Sequence, residues 1–174
     1  MIKDSFKVFV YYIVAYAFTL CLNMFLGGYD TNRAVLVLHQ IANLLFVILF
    51  IFYVSYNQGF HAYNLVKNGR QKECKAYGLF TGLLAISPTL LVSLLTIFSK
   101  LQVLPDILNI YRLFNSPYVP IVHAMLESTY MAQVSMQTLL ITMLFPLIVP
   151  VVSAISYAIG YRQIFISDVI LYKK

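Results

Sequence analysis

The residues of this sequence that could take part in chemistry are a few histidine and carboxylate side chains scattered among long apolar runs. His123 and Glu127 are four apart, a spacing that puts both on one face of a helix. His39 could approach the pair from a neighbouring helix, and two histidines with one carboxylate suit zinc or iron. The sequence has no H-E-x-x-H pattern, and a single His/Glu pair often arises by chance. We therefore expect a solvated or hydrogen-bonded pair and no cofactor, and keep a metal site on this trio as a hypothesis.

A second group of polar side chains interrupts an otherwise apolar run. His39, Gln40 and Asn43 lie three or four residues apart, so they share one side of a helix. Further polar residues are expected at a similar depth, and the predicted outer polar cluster has six members: Asn23, His39, Gln40, Asn43, Gln133 and Gln137. Polar side chains within a bilayer find partners on neighbouring helices. The cluster predicts hydrogen bonds that hold helices together, with a solute or ion path as the alternative.

Four cations lie close together after the second apolar run: Lys67, Arg70, Lys72 and Lys75. Aromatic and aliphatic residues precede them, and such a segment is attracted to anionic headgroups at about 1 kcal/mol per cation. The same residues fit the ordinary excess of cations in cytoplasmic loops. We expect the loop 57–76 to lie on the cytoplasmic membrane surface. A dedicated lipid or protein partner is the alternative, and nucleic acid is not expected.

The composition places these side chains in a membrane setting. Of the 174 residues, 61% are hydrophobic and only 10% are charged, and the mean hydropathy is +0.82. A soluble domain carries about 25% charged residues. These values exclude a soluble globular enzyme, a coiled coil, a disordered tail and a disulfide-stapled secreted domain. We expect one integral membrane domain over 1–174.

The uncharged runs predict an all-α bundle of four transmembrane helices. The runs cover 8–29, 34–66, 76–99 and 128–161, and each is long enough for the roughly 20 apolar residues that a crossing needs. The predicted spans lie near 8–27, 34–56, 77–99 and 138–160. A fifth crossing through 101–126 would bring Asp106 and Arg112 into the bilayer, at about 2.5 to 3.5 kcal/mol each.

The cations also predict the orientation. With four spans, nine of the twelve Lys and Arg residues lie on one side: Lys3, Lys7, Lys67, Arg70, Lys72, Lys75, Arg162, Lys173 and Lys174. The positive-inside rule makes that side cytoplasmic, so both termini are expected there. Cys21 and Cys74 then fall on opposite sides of the membrane and cannot form a disulfide with each other.

The segment between the third and fourth spans predicts two short helices. Apolar residues at 107, 110, 111 and 114 have the spacing of a helix with one apolar face. Asn115-Ser116-Pro117 stops that helix, and Pro120 can open a second one over 120–127 because its missing N–H does no harm at a helix start. Both are too short to cross. We expect them to lie at the outer interface or to form a re-entrant pair.

Small residues and prolines predict where helices pack and bend. Gly78 and Gly82 form a GxxxG pattern in the third span, and Ala154 and Ala158 form a related pattern in the fourth. Both are typical of close helix contacts. Prolines that are expected to kink these two spans lie at 88, 146 and 150.

Several short motifs resemble those of small bacterial four-span integral membrane proteins. They are Asn64-Leu65-Val66 before the basic stretch, Gly78 to Gly82 with Pro88, Tyr111-Arg112-Leu113-Phe114-Asn115, and Gly160-Tyr161-Arg162 with Tyr172-Lys173-Lys174. The resemblance covers about residues 56–174. It implies a bacterial inner membrane and brings no catalytic residues.

The features together favour a non-enzymatic integral membrane protein that acts as a subunit or accessory of a larger membrane assembly. Its expected partners are membrane lipids, other proteins or further copies of the chain. A small transporter or channel protomer with a solute at the outer polar cluster is the alternative. An intramembrane metalloenzyme is the third. A nucleotide-driven enzyme is not expected, because the sequence has no P-loop or GxGxxG.

Overall fold

A computed structural model of the chain describes residues 1–26, 33–70, 72, 74, 76–126 and 130–163. Within these ranges the chain is helical and contains no strand. The α-helices are α1 (Ile2–Leu26), α2 (Arg33–Lys67), α3 (Tyr77–Ala85), α4 (Ser87–Lys100), α5 (Leu108–Phe114), α6 (Val119–Met125), α7 (Met136–Thr142) and α8 (Ile148–Tyr161). Single 3-10 turns lie at Ser116–Tyr118, Met131–Gln133 and Phe145–Leu147. The all-helical prediction is confirmed for this part of the chain.

Three stretches of the described chain are long and apolar enough to cross a membrane. They are Ile2–Leu26, Ala34–Lys67 and Met136–Tyr161. The helices α3 and α4 pass the same test only as a pair, with a bend of 58° between them. The described residues therefore contain three stretches that could cross a membrane, or up to four if the bent pair is one span.

The helices α1 and α2 form an antiparallel pair. The side chain of Gln58 hydrogen-bonds to the backbone of Asp4 at one end, and Asn43 bonds to Asn23 at the other. Between these contacts the rings of Phe18 and Phe46 stack with centroids 5.6 Å apart. Residues 27–32, between the two helices, lie outside the described residues.

The helix α8 packs against α2 and α3, and glycines make both contacts close. A Cβ added to Gly59 would lie 2.1 Å from the Tyr157 carbonyl oxygen, and one added to Gly160 would lie 2.1 Å from the Tyr56 carbonyl oxygen. Since Gly59 meets Tyr157 while Ser55 meets Ser153 at 2.9 Å, α2 and α8 run parallel. These directions place Asp4, Gln58 and Tyr161 at one end of the bundle. The start of α2 and the end of α4 lie at the other end, with the described parts of the segment 101–135.

The described bundle exposes many large apolar side chains and buries polar residues together with its hydrophobic core. The helix α4 shows this most clearly, because the face that it buries is Thr89, Val92, Ser93, Thr96 and Ser99. Its exposed face carries Leu91, Leu94, Leu95 and Phe98. The buried hydroxyls bond to helix carbonyls, as Thr96 does to Val92 at 2.7 Å. A helix with this arrangement is compatible with lipid on its outer face.

The predicted helix bounds differ from the structure chiefly in α2. This helix continues to Lys67, well past the predicted end at residue 56, so much of the predicted loop 57–76 is helical. The polar residues after Tyr56 do not stop a helix, and the first strong break is Gly69 with a φ of +67°.

The predicted kink at Pro88 is present as the bend between α3 and α4, whereas α8 continues through Pro150 without a break. Pro88 cannot donate to the Leu84 carbonyl, and the Ser87 hydroxyl bonds to that oxygen at 2.8 Å instead. The break falls at Ile86, between α3 and α4. Pro146 lies in the 3-10 turn that separates α7 from α8.

Candidate functional site

The outer polar cluster is built on a pair of asparagines from α1 and α2. The Asn43 amide Nδ2 donates to Asn23 Oδ1 at 2.9 Å. The Asn23 amide then donates to the Ser116 carbonyl at 2.9 Å and reaches the Ser116 hydroxyl at 3.1 Å. Asn43 and Ser116 are almost fully buried. The two helices are thus tied to each other and to the segment that follows α5.

Gln40 makes a parallel connection one turn away. Its Nε2 donates to the Pro117 carbonyl at 3.2 Å, and its Oε1 accepts from the Ile121 N–H at 3.4 Å. His39 is beside it in sequence and is also buried, with 2% of its surface exposed. Pro117 and Pro120 interrupt the regular helical hydrogen bonds, so this turn has carbonyl and N–H groups without a partner in a helix. Gln40 supplies partners for them.

The predicted cluster is only partly assembled. Asn23 and Asn43 share a hydrogen bond, Gln40 bonds to the same turn that Asn23 reaches, and His39 is buried beside Gln40 on α2. Gln133 and Gln137 are exposed instead. Their predicted depth was a consequence of counting residues along the chain, and depth alone does not fix which way a side chain points.

The described parts of the segment 101–135 fold back against the bundle and bury Tyr111 and Tyr118. The Tyr111 hydroxyl and the Thr142 hydroxyl are 2.8 Å apart, and Tyr111 and Tyr118 are almost wholly buried. The Tyr16 hydroxyl donates to the Leu113 carbonyl at 2.5 Å. The two predicted short helices are present as α5 and α6, and they pack on α1, α2 and α7.

Two charged residues of this segment, Asp106 and Arg112, have hydrogen-bond partners. Asp106 accepts from the Leu108 N–H at 2.9 Å and from the Met131 N–H at 2.8 Å, so its carboxylate joins the start of α5 to a later turn. The Arg112 guanidinium donates to the Leu126 carbonyl at 2.6 Å. Both charges serve to close the segment on itself.

The metal trio is not assembled in the part that can be described. His39 is buried and His123 is exposed, while Glu127 lies outside the described residues. Among the residues with described positions, no three His, Cys, Asp or Glu side chains form a group that could hold a metal ion. The structure therefore offers no geometry that supports this hypothesis.

The basic residues after α2 face solvent. Lys67, Arg70 and Lys72 are exposed, and Lys75 lies outside the described residues. Lys67 ends the helix itself. These cations are available to headgroups or partners, and they lie at the end of the bundle that also carries Asp4 and Tyr77.

The predicted packing residues of α3 face α8. A Cβ on Gly78 would lie 2.5 Å from the Tyr157 Cβ and 3.1 Å from the Ala154 Cα, and one on Gly82 would lie 2.6 Å from the Pro150 Cα. Ala158, in contrast, is exposed. The contact of α8 with α2 is made by Gly160, which the small-xxx-small pattern did not include.

A polar junction at the opposite end was not predicted. The Tyr77 hydroxyl donates to Asp4 Oδ2 at 2.7 Å, and Gln58 Nε2 donates to the Asp4 carbonyl at 2.9 Å. Lys7 Nζ lies 3.7 Å from Asp4 Oδ1. Two features of the sequence could have indicated it. Asp4 lies four residues before the apolar run that starts at residue 8, and Gln58 and His61 lie three apart near the end of the run 34–66.

No protein-family model, no curated protein and no solved structure matches the chain. The geometry of the described residues is therefore the basis for a functional proposal. That geometry joins the outer polar side chains to the backbone of residues 116–121.

Proposed function

We propose that the chain is a four-span integral membrane protein that serves as a non-enzymatic subunit or accessory of a larger membrane assembly. In this proposal α3 and α4 form one bent span. Residues 101–135 lie on the outer side, with the turn at 115–118 directed into the outer half of the bundle as a re-entrant segment. The antiparallel contacts of α1 with α2, and of α3 with α8, support four passes that alternate in direction.

The proposed orientation places both termini in the cytoplasm of a bacterial cell, at the inner membrane. Asp4, Gln58, Tyr77 and Tyr161 lie at one end of the bundle, and the exposed cations Lys67, Arg70 and Lys72 follow α2 there. An excess of cations marks the cytoplasmic side. Anionic headgroups are the proposed partners of these cations.

The observation that carries the accessory role is the engagement of the outer polar cluster. A transported solute needs polar groups that can exchange their partners with it. Here Asn23 bonds instead to Asn43 and to the Ser116 carbonyl. Gln40 bonds to the backbone of Pro117 and Ile121. These bonds support a fixed scaffold more than a solute path.

Site-specific crosslinking in cells tests the role. A photoreactive amino acid is placed at one exposed apolar position on each of three helices: Leu49, Leu94 and Ile155. An accessory subunit presents one face to a protein, so we expect one of the three positions to form a discrete protein adduct and the others to label lipid. Gln40 is buried, so a probe there serves as the control that labels only this chain.

Solute flux provides the opposing measurement. If none of the three positions captured a protein, and reconstituted protein carried a solute at a rate that Gln40→Leu abolished, the accessory role would be wrong. The transporter alternative would then take its place.

A further inference from the structure

A cavity lies between α1 and α2 at the end of the bundle opposite the outer polar cluster. It has a volume of about 420 Å³, and its polar wall includes Asp4, Lys7, Asn57, Gln58 and His61. This is a different region from the basic residues 67–75. None of the contacts that fix the 101–135 segment involves it.

The depth of this cavity matches the headgroup layer of the proposed membrane. A helix rises about 1.5 Å per residue, so about 20 residues of α2 cross a hydrocarbon core of ~30 Å. Counted from Ala34, the crossing ends near Tyr53. Asn57, Gln58 and His61 follow within the next two turns, where phosphate and ammonium groups of lipids lie.

One wall of the cavity presents hydrogen-bond acceptors. Gln58 is 8% exposed, and its Nε2 is committed to the Asp4 carbonyl. Its Oε1 is buried and has no donor among the described residues. The Asp4 carboxylate lines the same space, with Oδ2 bonded to Tyr77 and Oδ1 3.7 Å from Lys7. A buried acceptor beside a carboxylate is satisfied best by a cation that carries N–H donors.

The mouth of the cavity presents donors. The Lys7 side chain is 52% exposed, and His61 and Asn57 are exposed on the facing helix. An ammonium, an imidazole and an amide together suit a phosphate group. Asp4 and Lys7 have opposite charges and lie only 3.7 Å apart. They are complementary to a ligand that carries a positive and a negative group close together.

An apolar groove continues from the cavity toward the middle of α1 and α2. A second space of about 360 Å³ shares Tyr11 and Tyr53 with the first and extends along Phe46, Leu49 and Phe50. Leu49 and Tyr53 are more than half exposed, so the groove opens sideways. Its order, polar at the headgroup depth and apolar below, is that of a phospholipid.

We propose that this groove binds one phospholipid with a phosphoethanolamine head. The primary ammonium donates to Asp4 and to Gln58 Oε1, the phosphate lies against Lys7 and His61, and an acyl chain follows Tyr11, Tyr53 and Phe50. Phosphocholine has no N–H to give to Gln58, and phosphoglycerol has no cation for Asp4. The proposal rests on the membrane embedding proposed above and is independent of the accessory role.

Native mass spectrometry of the delipidated full chain in detergent tests the proposal. Three lipids with the same dioleoyl chains are added separately: phosphatidylethanolamine, phosphatidylcholine and phosphatidylglycerol. We expect one retained phosphatidylethanolamine, bound about tenfold more tightly than either of the others, since one charge-assisted hydrogen bond corresponds to at least such a factor. Equal retention of the three lipids, or a preference for phosphatidylglycerol, would overturn the proposal.

Matched variants assign the headgroup contacts. Asp4→Asn keeps an acceptor for the Tyr77 hydroxyl and removes the charge, so the preference for phosphatidylethanolamine over phosphatidylcholine should fall about tenfold. Lys7→Gln should weaken phosphatidylethanolamine and phosphatidylcholine alike. Lys3→Gln removes an exposed cation that does not line the cavity and should change neither. An effect of Lys3→Gln equal to that of Lys7→Gln would show charge attraction without a built site.

Two further measurements keep the test independent of folding and of embedding. The three-lipid comparison uses the unaltered protein, so it stands even if Asp4→Asn fails to fold. Soluble phosphoethanolamine should not displace the lipid, because the groove also holds a chain, and displacement would contradict the acyl part of the site. A protein that inserts in the membrane and shows no headgroup preference refutes the lipid site and leaves the accessory role intact.

Discussion

At the scale of single residues, the polar side chains of this bundle act as partners for backbone groups that the helix ladder leaves over. Asn23 bonds to the Ser116 carbonyl and Gln40 bonds to the Pro117 carbonyl. These carbonyls are available to side chains, because the prolines at 117 and 120 interrupt the regular hydrogen bonding of the turn between α5 and α6. A buried backbone group without a partner is costly in an apolar medium. The asparagine and glutamine side chains therefore allow the turn to be buried.

The first prediction concerns the asparagine pair. Asn23→Ala removes the partner of Asn43 Nδ2 and of the Ser116 carbonyl, so we expect a loss of about 1 to 2 kcal/mol in the free energy of unfolding. Asn109→Ala, at an exposed position of α5, is the control, and its unfolding free energy is expected to change by less than about 0.5 kcal/mol. Unfolding in mixed micelles measures both. Equal stability of the two variants would show that the pair does not hold the turn.

The sequence predicted the members of this cluster better than their bonding partners. Spacing along one helix brought Gln40 and Asn43 to one side, and depth added Asn23. Apart from the bond between Asn43 and Asn23, their partners are groups of residues 116–121, which no side-chain pattern encodes. Gln133 and Gln137 are exposed, because their place depends on how the chain after α5 folds back.

At the scale of elements, the bundle is organised by where two helix backbones approach without side chains between them. Gly59 and Gly160 bring α2 and α8 together, and Gly78 and Gly82 bring α3 against α8. The Ser153 hydroxyl joins these contacts, because it donates to the Gly78 carbonyl at 2.8 Å and lies 2.9 Å from the Ser55 hydroxyl. The helix α8 is therefore the common partner of α2 and α3.

The second prediction tests the crossing of α2 and α8. Gly160→Leu places a Cβ against the Tyr56 carbonyl, which is backbone and cannot move aside, so the helices must separate. We expect a loss of about 3 kcal/mol or more in unfolding free energy, or failure to fold. Ala158→Leu adds the same side chain two residues earlier on the exposed face and is expected to be neutral.

Thermal unfolding of the two variants in one detergent provides the measurement. A midpoint for Gly160→Leu within a degree of that for Ala158→Leu would contradict the close crossing.

The elements themselves were largely predictable. Runs without charge located the helices, and Pro88 located the bend, because both depend on local composition. The sequence also identified the Gly78 and Gly82 face, since the two residues share one helix. The Gly59 and Gly160 contact was missed because each glycine stands alone in its own helix, and only the packed bundle brings them together.

At the scale of the whole molecule, the contacts separate two ends with different chemistry. One end gathers Asp4, Lys7, Gln58 and Tyr77 around a cavity. The other holds the outer polar cluster and the 101–135 segment, where Lys100 Nζ bonds to the Ala132 carbonyl. Charge counting predicted this division, and the proposed membrane lies between the ends.

The third prediction fixes the orientation. In a Cys21→Ser background, an impermeant thiol reagent should label Cys74 only after the cells are opened, because Cys74 lies just before α3 at the end proposed to be cytoplasmic. Asn109→Cys in a background without native cysteines should be labelled in intact cells, since Asn109 is exposed on α5. The reverse pattern would invert the proposed topology.

The length of α2 has a mechanical consequence. Its 35 residues form one uninterrupted helix about 52 Å long, which exceeds the ~40–45 Å of a whole bilayer with its headgroups. In the proposed orientation, the last turns of α2 before Lys67 therefore form a rigid arm that extends past the headgroups on the cytoplasmic side. A force on that arm is carried without a joint to His39, Gln40 and Asn43, whereas the same force on Tyr77–Lys100 is absorbed at the bend beside Ile86. A partner that binds this arm near Lys67 would therefore also displace the outer polar cluster at the other end of the bundle.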